Sequence, residues 1–463
     1  MRKSFLPFSP PWIGEEEINE VVDTLKSDWI TTGPKTKRFE REFAEYIGVI
    51  NALALNSCTA ALHTALVALG IGPGDEVITT PMTFCATVSV IEHVGAKPVL
   101  VDVEPDTLNI DPKEIERAIT PKTRAILPVH YSGHPVDLDP IYELAKKFNL
   151  YVIEDAAHAI SAKYKGRYIG SGNNPCAFSF YATKNLTTAE GGMLTGEYEF
   201  IEKVRIISLH GMSHDAWKRY SKDGSWYYEV ILPGFKYNMT DIQASLGIWQ
   251  LRKLERFQQR RKEIAQKYNE AFSKKEALEI PVEKPYATHA WHLYVLRLNL
   301  NRLKINRDQF IKELNRRNIG TSVHFIPIHI HPYYRNKYGF KPDDFPIAYS
   351  NYQRIISLPL YPRMSDEDVN DVIEAVLDII KKHKKWEKRK EFLIFFLTCR
   401  IDIPIPVFPT DRVFINYNNR RVRSYCYKQN RIGYKGRFFI MGKFWTMEID
   451  AERKDSLIYN WRS

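Results

Sequence analysis

Lys184 stands in the stretch Phe178–Gly192 (FSFYATKNLTTAEGG), between two short apolar runs and among hydroxyls and glycines, with few other charges nearby. Such surroundings disfavour the protonated amine, which makes it a nucleophile toward an aldehyde and afterwards a proton carrier. A Schiff base with an aldehyde cofactor is the chemistry this allows, although a surface-loop lysine would carry the same local sequence. Asp155 closes the apolar run Val152, Ile153, Glu154, Asp155. An acidic residue at the carboxyl end of a parallel strand faces the crevice where ligands bind. There it could keep a cofactor's ring nitrogen protonated; a helix-capping aspartate is the plainer reading, and nothing local separates Asp155 from Glu154. Ser57, Cys58, Thr59, Ala60 and Ala61 form a strand-to-helix junction whose free N–H groups and dipole favour a phosphate. Ser179 could add a hydroxyl from across the site, and an ordinary N-cap by Ser57 or Thr59 explains the junction equally well.

His130, His134, His158, His324, His329 and His331 raise the question of a metal. Their spacing, without flanking acidic ligands, matches no metal motif, so no metal is expected. His324 and His329, with Tyr333, Tyr334 and Arg335, suit hydrogen bonding and stacking against a sugar or its phosphates. Filling a domain interface is the other role open to them.

The elements that must position these groups read as α/β. Residues 15–28 predict a helix with one buried stripe of Ile18, Val21, Val22 and Leu25, and Phe39, Phe43 and Tyr46 repeat the helical spacing. From residue 52 short apolar runs of four to six residues alternate with helical segments, the pattern of a mainly parallel sheet covered on both faces. A long helix over 241–274 precedes a strand at Trp291–Leu298, a helix at 307–317, a strand at Ile319–Phe325 and a last helix at 366–380 capped by Ser365. The economical division is a large domain over 1–250, a smaller α/β domain over 251–385 and a basic, aromatic-rich extension over 386–463. That extension reads either as a small β-rich module or as an irregular tail.

At 463 residues the chain can bury more than one core, and 44% apolar with 26% charged residues is a soluble globular composition. Five cysteines without CxxC spacing argue against a disulfide scaffold or a zinc site and suit a reducing compartment. No apolar run is long enough to span a membrane, and prolines interrupt the N-terminus before a signal-type core forms, so cytoplasmic location without membrane insertion is expected. The net charge of +11 divides unevenly: from Lys381 onward 20 basic residues face 8 acidic ones, a balance of +12 that leaves about −1 for residues 1–380. The body therefore needs no polyanionic partner, and no nucleic acid is expected.

Taken in order, several stretches resemble the DegT/DnrJ/EryC1/StrS family of sugar aminotransferases. They are Thr31–Gly48 (TTGPKTKRFEREFAEYIG), Asn56–Leu69 (NSCTAALHTALVAL), Gly72–Thr87 (GPGDEVITTPMTFCAT), Glu154–Ala159 (EDAAHA), Phe178–Gly192, Gly234–Gly247 (GFKYNMTDIQASLG), Val323–Arg335 (VHFIPIHIHPYYR) and Ile356–Met364 (ISLPLYPRM). The resemblance implies a fold-type I aminotransferase: a large seven-stranded, mostly parallel cofactor domain and a small C-terminal α/β domain. It implies pyridoxal 5'-phosphate as cofactor, with Lys184 holding it as a Schiff base, Asp155 on the pyridine nitrogen, Phe84 stacked on the ring and His158 near the ring hydroxyl. Thr59, Ala60 and Ser179 match the phosphate cradle. Asn238 matches a phosphate contact from the neighbouring subunit, which implies a homodimer with shared active sites. The implied reaction moves an amino group, commonly from glutamate, onto a nucleotide-linked keto sugar, with C4 as the expected position. Related dehydratases carry histidine where this chain has Lys184. Two positions depart from the pattern, Cys58 and Ala189 standing where glycines are usual; both are tolerable if neither needs a positive φ.

Overall fold

The computed structural model describes residues 2–213, 227–385, 412–417, 420–432 and 438–447. Two compact units divide the chain, Met1–Trp386 and Glu387–Ser463. The first opens with α1 (Glu15–Lys26) and α2 (Pro34–Ile47). Strand and helix then alternate through β1 (Ala52–Leu55), α3 (Cys58–Ala68), β2 (Glu76–Thr79), α4 (Cys85–His93), β3 (Lys97–Leu100), α5 (Pro112–Ala118), β4 (Thr123–Ile126), α6 (Leu138–Phe148), β5 (Tyr151–Val152) and β6 (Glu154–Asp155). A small hairpin, β7 (Lys163–Tyr164) and β8 (Arg167–Tyr168), precedes β9 (Cys176–Ser179), β10 (Gly192–Thr195) and α7 (Tyr198–Ile207). The 32-residue α8 (Asp241–Phe272) leads into β11 (Leu278–Glu279), β12 (Ala287–Thr288), β13 (Tyr294–Leu298), α9 (Arg307–Asn315), α10 (Pro332–Tyr338), α11 (Pro346–Tyr352), β14 (Ile355–Leu358) and α12 (Asp366–His383).

Two four-stranded ladders, β3-β2-β4-β5 and β1-β10-β9-β6, form the large sheet. They join because β5 and β6 are one run interrupted only at Ile153, and Val129 bridges Asp155 in parallel. With that run counted once, the sheet has seven strands among the described residues, and of these β10 alone runs against the rest. Both faces are buried: Ala52 and Ala54 join a core with Phe39, Phe43, Phe178 and Phe180, while Leu53 and Leu55 join another with Leu62, Leu66 and Leu194. This explains why the strands read as continuous apolar runs rather than alternating ones. A second, antiparallel sheet, β11-β13-β14, shares a core with α9 and α12. Ser365 caps α12 as expected, accepting from the Asp368 N–H.

Two expectations change. The run Ile319–Phe325 is not a strand; only Ile319 and Ser322 make single bridges, to Leu6 and Ser357, before the chain turns toward the site. The apolar stripe of α1 faces outward, with Ile18, Val22 and Leu25 exposed, and Glu17 and Thr24 are the buried residues. The cause is polar packing on α8: Gln250 and Lys253 donate to the Glu17 carboxylate at 2.8 and 2.6 Å, and Thr24 pairs with Ser245. The long α8 runs unbroken through residue 250. In the second unit β15 (Arg412–Tyr417), β16 (Arg420–Ile432) and β17 (Phe438–Met447) form an antiparallel meander; the rest of the extension lies outside the described residues.

Candidate active site

A cavity of about 310 Å³ opens at the carboxyl ends of the parallel strands, where the ligand crevice of an open α/β sheet is expected. Ser57, Cys58 and Thr59 enter it from the start of α3, Phe84 and Thr87 from the start of α4, Asp155 from the end of β6 with His158 beyond it, and Ser179 from the end of β9 with Lys184 beyond it. His292, His324 and Phe325 close it from the C-terminal part of the unit.

Lys184 is placed by a tight turn in which its N–H donates to the Tyr181 carbonyl, while Phe180 and Thr188 tie the loop back to the strand end. Burial lowers the Lys184 amine to about pH 8, partly opposed by Cys58 and Asp155. Near neutrality it therefore sits close to the point where it can give or take a proton.

Asp155 and Glu154 separate cleanly, because successive residues of a strand point to opposite faces. Glu154 turns away from the cavity and is consumed by Tyr142 Oη at 2.6 Å and His130 Nε2 at 3.0 Å. Asp155 faces the cavity, accepting from Thr87 Oγ1 at 2.8 Å and from the Ala157 N–H at 3.0 Å. Burial pushes its carboxyl above the ordinary value, only partly opposed by those two hydrogen bonds and by Lys184. A cationic N–H partner is what such a carboxylate best accommodates. Thr87 was not legible as a site residue, since its role depends on α4 lying beside β6.

The remaining expected residues divide. Thr59, Phe84, His158 and Ser179 line the cavity. Ala60 does not; its N–H is taken by the Ser57 hydroxyl in the N-cap of α3, at 3.0 Å. His158 is buried, and its Nδ1 has no hydrogen-bond partner among the described residues; its ring lies against Phe325, centroids 5.6 Å apart. Of the five expected substrate contacts, the structure brings only His324 to the cavity, its Nδ1 at 2.8 Å from Ser357 Oγ. His329 is buried elsewhere, with Nε2 at 3.2 Å from the Pro342 carbonyl. Tyr333 donates to Glu92 and Tyr334 pairs with Ser89, so α10 and Arg335 lie on α4 rather than in this chain's cavity. Asn238 likewise points away from the cavity of its own chain, donating to Thr32 and accepting from Lys236, both at 2.6 Å. Among the described residues no group of three or more His, Cys, Asp or Glu side chains could hold a metal ion.

The two departures differ. Cys58 occupies the first turn of α3 with helical geometry, but Ala189 has φ +67°, where a glycine would be unstrained. The close approach is elsewhere: a Cβ on Gly192 would come within 2.5 Å of the Cys58 backbone nitrogen.

An amine of lowered pKa, a buried carboxylate, an unpartnered imidazole nitrogen, an aromatic platform and a helix N-terminus converging on one cavity suit a phosphorylated pyridine aldehyde. Together with the seven-stranded sheet, they define an α/β enzyme of the fold-type I aminotransferase class. Residues 11–377 match the DegT/DnrJ/EryC1/StrS aminotransferase family, and the chain belongs to that family. It is 55% identical over 382 residues to the spore coat polysaccharide biosynthesis protein SpsC of Bacillus subtilis, covering 82% of this chain and 98% of that protein. Among solved structures, the PLP-form of Spr1654 from Streptococcus pneumoniae, assigned as a sugar aminotransferase, is 39% identical with a TM-score of 0.75, covering 82% of this chain and 99% of that one. Helicobacter pylori PseC, an aminotransferase involved in pseudoaminic acid biosynthesis, is 30% identical with a TM-score of 0.75, covering 82% and 100%.

Proposed function

We propose that this chain transfers the amino group of an amino acid, L-glutamate, to the C4 keto group of a nucleotide-linked sugar in surface polysaccharide or glycoconjugate synthesis. The observation that carries this reading is the presence of the Lys184 amine and the buried Asp155 carboxylate in one cavity. Pyridoxal 5'-phosphate, when bound, supplies an electron sink that carries the amino group between the two substrates. Lys184 holds and moves the proton at the reacting carbon, a role suited to an amine that titrates to about 8. Asp155, oriented by Thr87, holds the proton on the cofactor's ring nitrogen. His158 Nδ1 is a hydrogen-bonding position for the ring oxygen. Thr59 and Ser179, with the amino end of α3, receive the phosphate, and Phe84 covers the ring. His324, at the cavity wall, is the sugar contact this chain provides.

The working form in this reading is a cytoplasmic homodimer. The outward face of α1, with Ile18, Val22 and Leu25, continues into exposed Trp29 and Ile30 beside the Thr32 that holds Asn238. A second copy covering that face would bring Asn238 to its neighbour's phosphate site. Among the described residues no helix is long and apolar enough to cross a membrane. A panel of UDP- and dTDP-linked keto sugars incubated with glutamate, with NMR assignment of the new amine, tests the reaction. Amination at C4 of one of them is expected. A protein that binds no pyridoxal phosphate, or whose bound cofactor is unchanged by glutamate, would overturn the proposal.

A further inference from the structure

Asn185 and His292, neither of which was expected as a site residue, form a connected pair beside Lys184. Asn185 follows the lysine directly and is buried, with 4% of its surface exposed. Its side-chain Nδ2 donates to the Ala290 carbonyl at 2.8 Å. A carbonyl only accepts, so this bond fixes the amide's orientation and turns Oδ1 toward His292 Nδ1, 3.1 Å away. Oδ1 also only accepts. His292 Nδ1 must therefore carry the ring proton, and Nε2 the lone pair.

The ring so fixed stands in a rigid setting. The Leu293 N–H donates to Ser132, and the buried Arg261 guanidinium donates to the His292 carbonyl at 3.4 Å and to the Leu360 carbonyl at 2.8 Å. His292 lines the cavity, and its centroid is 4.4 Å from that of His158, closer than the Phe325 ring on the same histidine at 5.6 Å. Burial, with His158, Lys184, Arg261 and His324 nearby, pushes the His292 imidazole well below its ordinary pKa, so the neutral tautomer persists.

We propose that Asn185 and His292 are positioning residues: the clamped amide of Asn185 fixes the Nδ1–H tautomer and plane of His292, and that ring orients His158 toward the cofactor. The proposal rests on the reading of this cavity as the pyridoxal-phosphate site. It explains why the residue after Lys184 is a buried amide, since an apolar side chain there would leave both the Ala290 carbonyl and the His292 Nδ1–H unpaired.

The first test uses cofactor-free full-length protein carrying ¹⁵N-histidine. His292 should show a protonated Nδ1 and an unprotonated Nε2, and Asn185→Asp should convert it to the doubly protonated form near pH 7. His292→Leu should shift the ring resonances of His158. His292→Asn keeps an N–H donor toward Asn185 but removes the ring, and should shift them as well. In the second test, the Kd for pyridoxal phosphate should rise about tenfold in Asn185→Leu, His292→Leu and His292→Asn, the loss of about one buried hydrogen bond from a displaced His158. An Nε2–H tautomer in the wild type, or His158 resonances unmoved in His292→Leu, overturns the proposal alone. Wild-type protein that binds no pyridoxal phosphate removes the cofactor reading and the proposal with it.

Discussion

The depressed pKa of Lys184 has a thermodynamic signature that requires no cofactor and no substrate. In the unfolded chain a lysine titrates near its ordinary value of 10.5, whereas in the folded cavity Lys184 titrates at about 8. Between those values the unfolded state binds more protons, so this group's contribution to stability rises with pH, and below pH 8 the protonated amine is a net cost. The full difference corresponds to about 3 kcal/mol. Integrated only from pH 7 to pH 9, it amounts to about 1.3 kcal/mol. Cys58 and Cys176 act in the opposite sense at high pH, because burial holds both thiols protonated in the fold. The lysine is therefore isolated by comparison with Lys184→Met, which removes the charge and keeps the side chain's length. Urea denaturation of cofactor-free protein at pH 7, 8 and 9 provides the assay. At pH 7 the variant should be the more stable protein, by up to about 3 kcal/mol, and the wild type should gain on it by about 1.3 kcal/mol by pH 9. A difference between the two that stays flat from pH 7 to 9 would refute the assignment of Lys184 as a desolvated amine.

Asp155→Asn should lose most binding of pyridoxal phosphate, measured by visible absorbance titration. Glu154→Gln, which disturbs only the pairing with His130 and Tyr142, should retain that band while losing about 1–3 kcal/mol of stability in denaturant melts. Ala189→Gly should be neutral or stabilising by up to about 1 kcal/mol in the same melts, because φ +67° costs alanine more than glycine. Mixing inactive Lys184→Ala and Asn238→Ala proteins, with subunit exchange, should restore about a quarter of wild-type aminotransferase activity, since half the dimers are mixed and each has one intact site. No recovery in an exchanged mixture would show that the sites are not shared.

Asp155 could be placed at a strand end from residue types alone, but choosing it over Glu154 needed the sheet. The alternation of a strand is legible, whereas its phase relative to a cavity is not. The helix at Glu15–Lys26 carries the complementary lesson. Its apolar periodicity was readable, yet a buried glutamate satisfied by Gln250 and Lys253 reversed which face turns inward. The Tyr333–Arg335 stretch has the chemistry of a sugar site, but α10 spends Tyr333 and Tyr334 on Glu92 and Ser89.

By itself the sequence determined the α/β alternation and the family, and put forward Lys184, Asp155, Thr59, Ser179, Phe84 and His158 as an ordered set of site candidates. Those features are local: runs of apolar residues, junctions and short motifs. Only the tertiary structure decided that Thr87 orients Asp155 and that Asn185 faces His292 across 107 positions of chain. It also decided that Asn238 stays out of the cavity of its own chain. Burial set the state of Lys184 as well, because desolvation depends on neighbours brought from distant segments, and no spacing along the chain records them.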